Sequence, residues 1–211
     1  MTKSTAYPEV LRRIQGGAHF LDLGCCLGQE IRKLVHDGAP SAHTYGADLH
    51  GGFFAAGYDL FGDKDHLQTT FIEADIFNDA SPLRALYGRM DIVYTGDLFH
   101  LFGLDEQERI ARKVVKLLVP RPGAMVLGRQ TGSAVPGNHA RAGDTSGRQH
   151  FRHNANSWRE LWGRVGDMTG SEWAVEAELT GAEFAATAGE PGKAQPIVGS
   201  KALEYIITRV R

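Results

Sequence analysis

The sequence has few of the features that mark secreted or membrane-spanning proteins. Its only two cysteines, Cys25 and Cys26, are adjacent; neighbouring residues rarely reach disulfide geometry, and two thiols alone do not make a zinc site. No apolar run approaches the roughly 20 residues that a helix needs to span a bilayer. The first 20 residues also lack the apolar segment of a signal peptide. These absences predict a protein of the cytoplasm with no metal site.

Positive and negative charges are nearly balanced: the sequence has 23 Lys and Arg and 25 Asp and Glu, which gives a net charge of −2. Without a basic excess, nucleic acid is not an expected partner. The length of 211 residues suits a single domain, which we expect to cover 1–211. Glycine is plentiful, at 26 residues, so tight turns should be frequent.

Short apolar runs alternate with helical patterns along most of the chain. Strands are predicted at 19–24, 44–49, 70–76, 90–95 and 124–128. Two further runs, 173–179 and 202–209, alternate like strands with no helix between them. The order predicts an α/β fold, a mainly parallel sheet with helices on both faces that ends in an antiparallel hairpin. Ligands of such sheets bind at the carboxyl ends of the strands.

Helix starts and one long loop complete this outline. Asp105 with Glu108, and Ser157 with Glu160, have the spacing of capping boxes before amphipathic helices. The polar, glycine-rich stretch 131–156 is too long for an ordinary connection, so we interpret it as a candidate binding loop.

The turn after the first strand carries a glycine motif. A dinucleotide-binding turn needs glycine at its first, third and sixth positions, which here are Gly24, Cys26 and Gln29. The dinucleotide pattern therefore fails twice. What remains is a carboxylate at Asp22 and a second glycine at Gly28.

This arrangement resembles the first motif of class I S-adenosylmethionine-dependent methyltransferases, acidic-x-Gly-x-Gly-x-Gly, and departs from it at Cys26. The resemblance implies a Rossmann-like class I methyltransferase sheet with S-adenosyl-L-methionine as cofactor. Gly24, Cys25 and Gly28 would then bring backbone close to the cofactor, and Asp22 would lie near its cationic amino-acid end. The alternative is an ordinary glycine-rich strand-to-helix turn.

Two more acidic residues follow at the next strand ends. Asp48, 20 residues after Gly28, can accept hydrogen bonds from both ribose hydroxyls, as an acid at this position does in dinucleotide folds; Leu49 follows it. The resemblance implies that Asp75 receives the adenine amino group while Ile76 packs on the ring. Each acid alone could be a helix cap, but acids at three successive strand ends favour a cofactor site.

Longer strings resemble a fungal methyltransferase family that serves secondary-metabolite clusters, especially meroterpenoid pathways, and includes enzymes that methylate carboxyl groups. The resembling strings are 20–29, 32–41, 57–61, 99–102, 128–132 and 153–162. The same family has Cys25-Cys26 in place of the usual glycine. Its members usually carry a helical extension before Tyr7-Pro8, so we expect 1–17 to form a short N-terminal helix with that extension absent. A second subunit, in a homodimer, would then complete the acceptor site.

The acceptor side offers five candidate residues. His100 is the best-placed group to orient a carboxylate or to deprotonate a hydroxyl, and Phe99 would line an apolar pocket. Gln130, His153 and Asn154 would hold an acyl oxygen. The alternatives are a turn cap for His100, core packing for Phe99 and solvated loop positions for the rest. A metal site at His150-x-x-His153 lacks companion acids at fixed offsets.

Three hypotheses follow. The first is a methyltransferase that acts on a small-molecule secondary metabolite, by O-methylation of a carboxyl group of a meroterpenoid or polyketide intermediate. The second is a catalytically weak or silent protein that keeps the cofactor fold and lacks a substrate lid. The third is an NAD-dependent oxidoreductase on a similar sheet.

Overall fold

The structure, a computed structural model, describes residues 1–2, 4–140, 149–181 and 200–211. A seven-stranded sheet has the order β3-β2-β1-β4-β5-β9-β8. Its strands are β1 (Phe20–Leu23), β2 (Thr44–Asp48), β3 (Thr70–Glu73), β4 (Ile92–Tyr94), β5 (Met125–Ser133), β8 (Trp173–Thr180) and β9 (Ser200–Arg209). The first five are parallel, and β9 lies antiparallel between β5 and β8. The predicted fold class is confirmed.

Helices cover both faces of the sheet. They are α1 (Tyr7–Gln15), α2 (Gln29–His36), α3 (Gly52–Phe61), α4 (Leu104–Leu117) and α5 (Ala155–Thr169). Short 3₁₀ helices span Ser41–His43, Pro82–Leu86 and Phe99–Leu101. None of the helices in the described ranges is long and apolar enough to cross a membrane.

Alternation along the central strands sends successive side chains into two separate cores. Phe20 of β1 packs with α1 and α2, while the next residue, Leu21, packs with α4 and α5. Ile92 and Val93 of β4 divide in the same way. Because both faces are covered, these strands are apolar at nearly every position, as is typical of buried parallel sheets.

The prediction of a binding loop at 131–156 is wrong over much of that range, because strands occupy it. Strand β5 continues to Ser133, since nine of its residues pair with β9, and β6 (Gly137–Ala140) pairs with β7 (Gln149–Arg152) in a second, two-stranded sheet. Gly132 pairs with Lys201 in β5, and a Cβ at this position would stand 2.7 Å from the carbonyl oxygen of His153. Such a glycine marks close packing of backbone, not a loop. Residues 141–148 lie outside the described part of the chain.

Both predicted capping boxes are misplaced by two or three residues. Helix α4 begins after Gly103, whose N–H donates to the Glu106 carboxylate at 3.1 Å, so Asp105 lies inside the first turn. Helix α5 begins after Asn154. The Asn154 Oδ1 accepts from Ser157 N at 2.8 Å, and Ser157 Oγ accepts from Asn154 N at 3.1 Å. Periodicity located the apolar helix faces but not the polar turn before each one.

The outer edge of the sheet, at β8, is covered by a side chain of α5. Arg159 donates from Nε to the Val175 carbonyl at 3.4 Å and from Nη2 to the Ala177 carbonyl at 3.1 Å. These are backbone acceptors of an edge strand, which within the described ranges has a strand neighbour on one side only.

Asn154→Ala should lower the free energy of unfolding by about 1 kcal/mol, because it leaves the first N–H groups of α5 without their side-chain acceptor. Urea unfolding monitored by far-UV circular dichroism measures this change. Asn156→Ala is the matched control, because its exposed side chain contacts Arg159 and takes no part in the cap. Equal stability of the Asn154→Ala variant and the unmodified chain would contradict this role.

Candidate ligand-binding site at the strand ends

The turn between β1 and α2 takes left-handed backbone conformations at every second residue. The φ angles are +84° at Gly24, +49° at Cys26 and +74° at Gly28. Glycine adopts this region freely, whereas another residue pays roughly 1–2 kcal/mol there. Cys26 therefore occupies a position whose backbone conformation favours glycine, the residue that the class I motif has there. We call residues 24–28 the glycine turn.

The glycine turn is tied to the end of β2. The N–H groups of Gly24 and Cys25 both donate to the Ala47 carbonyl, at 2.8 and 3.1 Å. The Cys26 N–H donates to Asp48 Oδ2 at 2.9 Å, and Asp48 Oδ1 accepts from His50 N at 3.2 Å. A carboxylate offers about four acceptor sites, so both oxygens of Asp48 retain capacity for a ligand.

The end of β3 joins the same edge. Ala74 N donates to the Asp48 carbonyl at 2.8 Å, and the exposed Asp75 accepts from Phe77 N at 2.8 Å. Asp75 lies two residues beyond β3 and not inside the strand as expected, because the strand pairing ends at Glu73. Leu49 is 55% exposed and Ile76 is half-buried. The predicted cofactor residues of β2 and β3 therefore lie at one edge.

Acidic groups dominate the electrostatics beside the glycine turn. Asp22 is almost completely buried in β1, and burial, reinforced by Glu30 and Asp48, raises its pKa to about 8. Burial likewise raises the pKa of the Cys25 thiol, so this thiol stays neutral. A buried carboxyl group with acidic neighbours favours a cationic ligand group, since positive charge lowers the cost of ionising it.

The turn after β4 approaches the glycine turn from the other side. A Cβ at Gly24 would stand 3.3 Å from Leu98 Cδ1, and Asp97 N donates to the Arg129 carbonyl of β5 at 2.7 Å. His100 lies half-buried in this turn, and its carbonyl oxygen is 3.3 Å from His150 Nδ1. The strand ends therefore bring the turn that carries His100 to the edge with Asp22 and Asp48.

Three of the five predicted acceptor residues are buried in the core or cap a helix. Phe99 is fully buried, with its ring 5.0 Å from the Trp158 ring. His153 is 1% exposed and holds Ser157 Oγ at 2.9 Å from its Nδ1; burial lowers its pKa to about 4. Asn154 is the helix cap. Phe99 was expected to line an apolar pocket, with core packing as its alternative. His153 and Asn154 were expected to hold an acyl oxygen, and the His153 ring packs against Trp158 of α5.

Gln130 is also buried, on the face of β5 that packs against α5, and its Oε1 has no hydrogen-bond partner among the described residues. Its buried amide is therefore a poorer candidate for contact with an acceptor than the half-buried His100. Within the described ranges no group of three His, Cys, Asp or Glu has metal-binding geometry.

A cavity of about 570 Å³ opens on the α1 face of the sheet. Its lining includes Glu30, Tyr94, Arg129, Glu178, Glu204 and Ile206. The sequence did not indicate Glu30 as a site residue, because an acid in the first turn of a helix is common. Its negative charge is one of the causes that raise the pKa of Asp22.

Comparisons with known proteins agree with this geometry. A family model described as "Methyltransferase domain" matches residues 20–121. The chain is 44% identical over 172 residues to "O-methyltransferase phiE" of Fungal sp. (strain ATCC 74256), covering 81% of this chain and 57% of the relative. It is 42% identical over 179 residues to "Asnovolin E/Chermesin D methyltransferase nvfJ" of Aspergillus novofumigatus, covering 83% and 63%. The chain thus spans less than two thirds of the length of these relatives.

A solved structure shares the fold. It is the magnesium protoporphyrin IX methyltransferase of Synechocystis PCC 6803 with bound SAM, with a TM-score of 0.57 and 16% identity. The match covers 96% of this chain and 77% of that one.

Asp22→Asn should stabilise the ligand-free protein at pH 8. The fold keeps the carboxyl protonated up to a pKa of about 8, whereas the unfolded chain releases this proton near pH 4. The unfolded state therefore binds fewer protons between these values, and stability falls as the pH rises, by up to about 1.4 kcal/mol per pH unit. Asparagine removes this dependence.

Urea unfolding of both proteins at pH 7 and pH 8 measures the effect, and His153, which is present in both, contributes equally to each. The stability difference between Asp22→Asn and the unmodified chain should grow with pH. A difference that stays constant between the two pH values would show that the Asp22 pKa is not raised.

Proposed function

Because this chain belongs to the class I S-adenosylmethionine-dependent methyltransferases, we propose that it transfers the cofactor's methyl group to an oxygen of a small-molecule secondary metabolite. The proposed acceptor is a carboxyl group of a meroterpenoid or polyketide intermediate. The observation that carries the proposal is the position of Asp48, which holds the glycine turn through Cys26 N and lies beside the buried Asp22. The family assignment removes the NAD-dependent oxidoreductase hypothesis.

The residues present fit S-adenosylmethionine. In our proposal Asp22 and Glu30 surround the cationic amino end of the cofactor, and Asp48 accepts hydrogen bonds from the ribose hydroxyls. Leu49 supports the adenine placement, because an apolar side chain that is 55% exposed at this edge gains by covering an aromatic ring. Asp75 and Ile76 would flank the same ring. When bound, the cofactor supplies an electrophilic methyl group on a sulfonium.

Two features support oxygen of a carboxyl group as the acceptor atom. Relatives at 42–44% identity include one named O-methyltransferase and one named for asnovolin E and chermesin D. A carboxylic acid with an ordinary pKa near ~4 is ionised at neutral pH and needs no base. His100 would then bind and orient the carboxylate, and alignment of the acceptor with the methyl group supplies much of the rate.

Asp48→Ala should weaken binding of S-adenosylmethionine by roughly 5- to 150-fold, because the ribose hydroxyls lose their acceptor and Cys26 N loses its partner. Isothermal calorimetry measures the affinity. Asp79→Ala is the matched control, since this carboxylate is exposed, pairs with Lys113 of α4 and makes no contact with the glycine turn in the described part of the chain. Affinity equal to that of the unmodified chain would reject Asp48 as the ribose anchor.

Replacement of His100 distinguishes the two kinds of oxygen acceptor. With a carboxylate, His100→Ala should raise the KM for the acceptor and leave kcat within about tenfold, because no proton has to be removed. With a hydroxyl acceptor, the loss of a general base should lower kcat by ~10²–10⁴-fold.

The measurement is a methyl-transfer assay over a panel of carboxylated metabolites. His66→Ala, which removes an exposed imidazole from the connection that precedes β3, is the control. If the maximal turnover rate fell by roughly two orders of magnitude or more while both ligands still bound normally, the acceptor would be a hydroxyl and the carboxylate assignment would be wrong.

A further inference from the structure

Arg32 of α2 is buried, although arginine is mostly exposed in folded proteins. Its side chain is 8% exposed. The guanidinium carbon lies over three aromatic rings, 5.5 Å from the centre of Tyr58, 4.7 Å from that of Phe61 and 5.7 Å from that of Phe71. Arginine stacks well on such rings because its cation is planar and weakly hydrated.

The Arg32 guanidinium also makes directional contacts with two separate segments. Its Nε and Nη2 donate to both carboxylate oxygens of Asp63, at 2.7 and 3.0 Å. Its Nη1 donates to the carbonyl of Leu27, inside the glycine turn. Asp63 follows directly after the glycine that ends α3. One side chain therefore connects the glycine turn to the far end of α3.

Glycines make this close arrangement sterically allowed. A Cβ at Gly28 would stand 2.8 Å from Arg32 Nη1. A Cβ at Gly57 of α3 would stand 2.5 Å from the Leu27 carbonyl oxygen, the atom that Arg32 binds. The turn, the arginine and α3 thus share one tightly filled space.

We propose that Arg32, oriented by Asp63, is a positioning residue that keeps the glycine turn in its cofactor-binding conformation; this rests on the proposed function. The turn has three left-handed residues in five, one of them Cys26, so it needs contacts from outside to hold it. Arg32 supplies one at Leu27. A buried ion pair is a weak source of net stability, which points to order in the turn as the main effect of this one.

The decisive variants are Arg32→Lys and Asp63→Asn. Lysine keeps the charge but lacks the planar fork that reaches Asp63 and Leu27 together, and asparagine keeps the shape of Asp63 without its charge. Each should weaken binding of S-adenosylmethionine by roughly 10- to 100-fold, the usual effect of losing a charged hydrogen bond. Turnover at saturating cofactor should stay within about twofold, so the change falls on the cofactor KM and not on kcat.

The control is the exposed pair between α4 and α5, in which Arg164 Nε donates to Glu108 at 3.2 Å. Arg164→Lys and Glu108→Gln change the same chemistry away from the turn and should leave cofactor affinity unchanged. The double variant Arg32→Lys/Asp63→Asn should lose little more affinity than either single variant, because the two side chains act as a unit.

Calorimetry with S-adenosylmethionine and thermal melting separate the outcomes. Failure of the unmodified chain to bind the cofactor would overturn the proposed function together with this inference. Binding by the unmodified chain, with full affinity in both Arg32→Lys and Asp63→Asn despite lower melting temperatures, would overturn the positioning role alone.

Discussion

The hydrogen bonds between the glycine turn and the end of β2 are the interaction on which the site depends. Ala47 and Asp48 receive the N–H groups of three successive residues of the turn, which fixes where α2 begins relative to the sheet. Because β1 is a central strand, flanked by β2 and β4, that turn opens toward both neighbouring strand ends. The parallel order of the sheet therefore converts a local backbone conformation into a site shared by several strands.

Folding and cofactor binding favour opposite charge states of Asp22. Asp22 lies where folding would favour a neutral group, and its raised pKa reflects the cost of ionising it there. In the proposed function the group is retained because it faces the cationic end of the cofactor. Binding would then relieve a destabilisation that the ligand-free fold carries, which is a common relation between stability and activity at functional sites.

The sequence predicted the sheet, its antiparallel end and the meeting of Asp22, Asp48 and Asp75 at one edge, because short apolar runs and strand-end residues are local signals. It could not predict that β5 would extend to Ser133, since the glycines that allow close packing with β9 are typical of loops as well. Nor could it predict that His153 is buried, since His153 is held against Ser133 of β5, a contact between residues that are distant in sequence. The burial of Arg32 was also not predictable from the sequence, because the aromatic rings and the carboxylate that enclose it come from segments distant along the chain.

The contacts of Arg159 with β8 affect how the molecule meets other chains. An edge strand with free carbonyl groups is a template on which a foreign strand can align and extend the sheet. Here two of those carbonyls already accept hydrogen bonds from a guanidinium anchored on α5, and an incoming strand would have to displace it. Across the strand pair, Glu178 and Glu204 stand opposite one another, so an approaching acidic segment would also meet like charge. The Arg159 contacts and the paired glutamates thus disfavour the addition of a further strand at the β8 edge of the sheet.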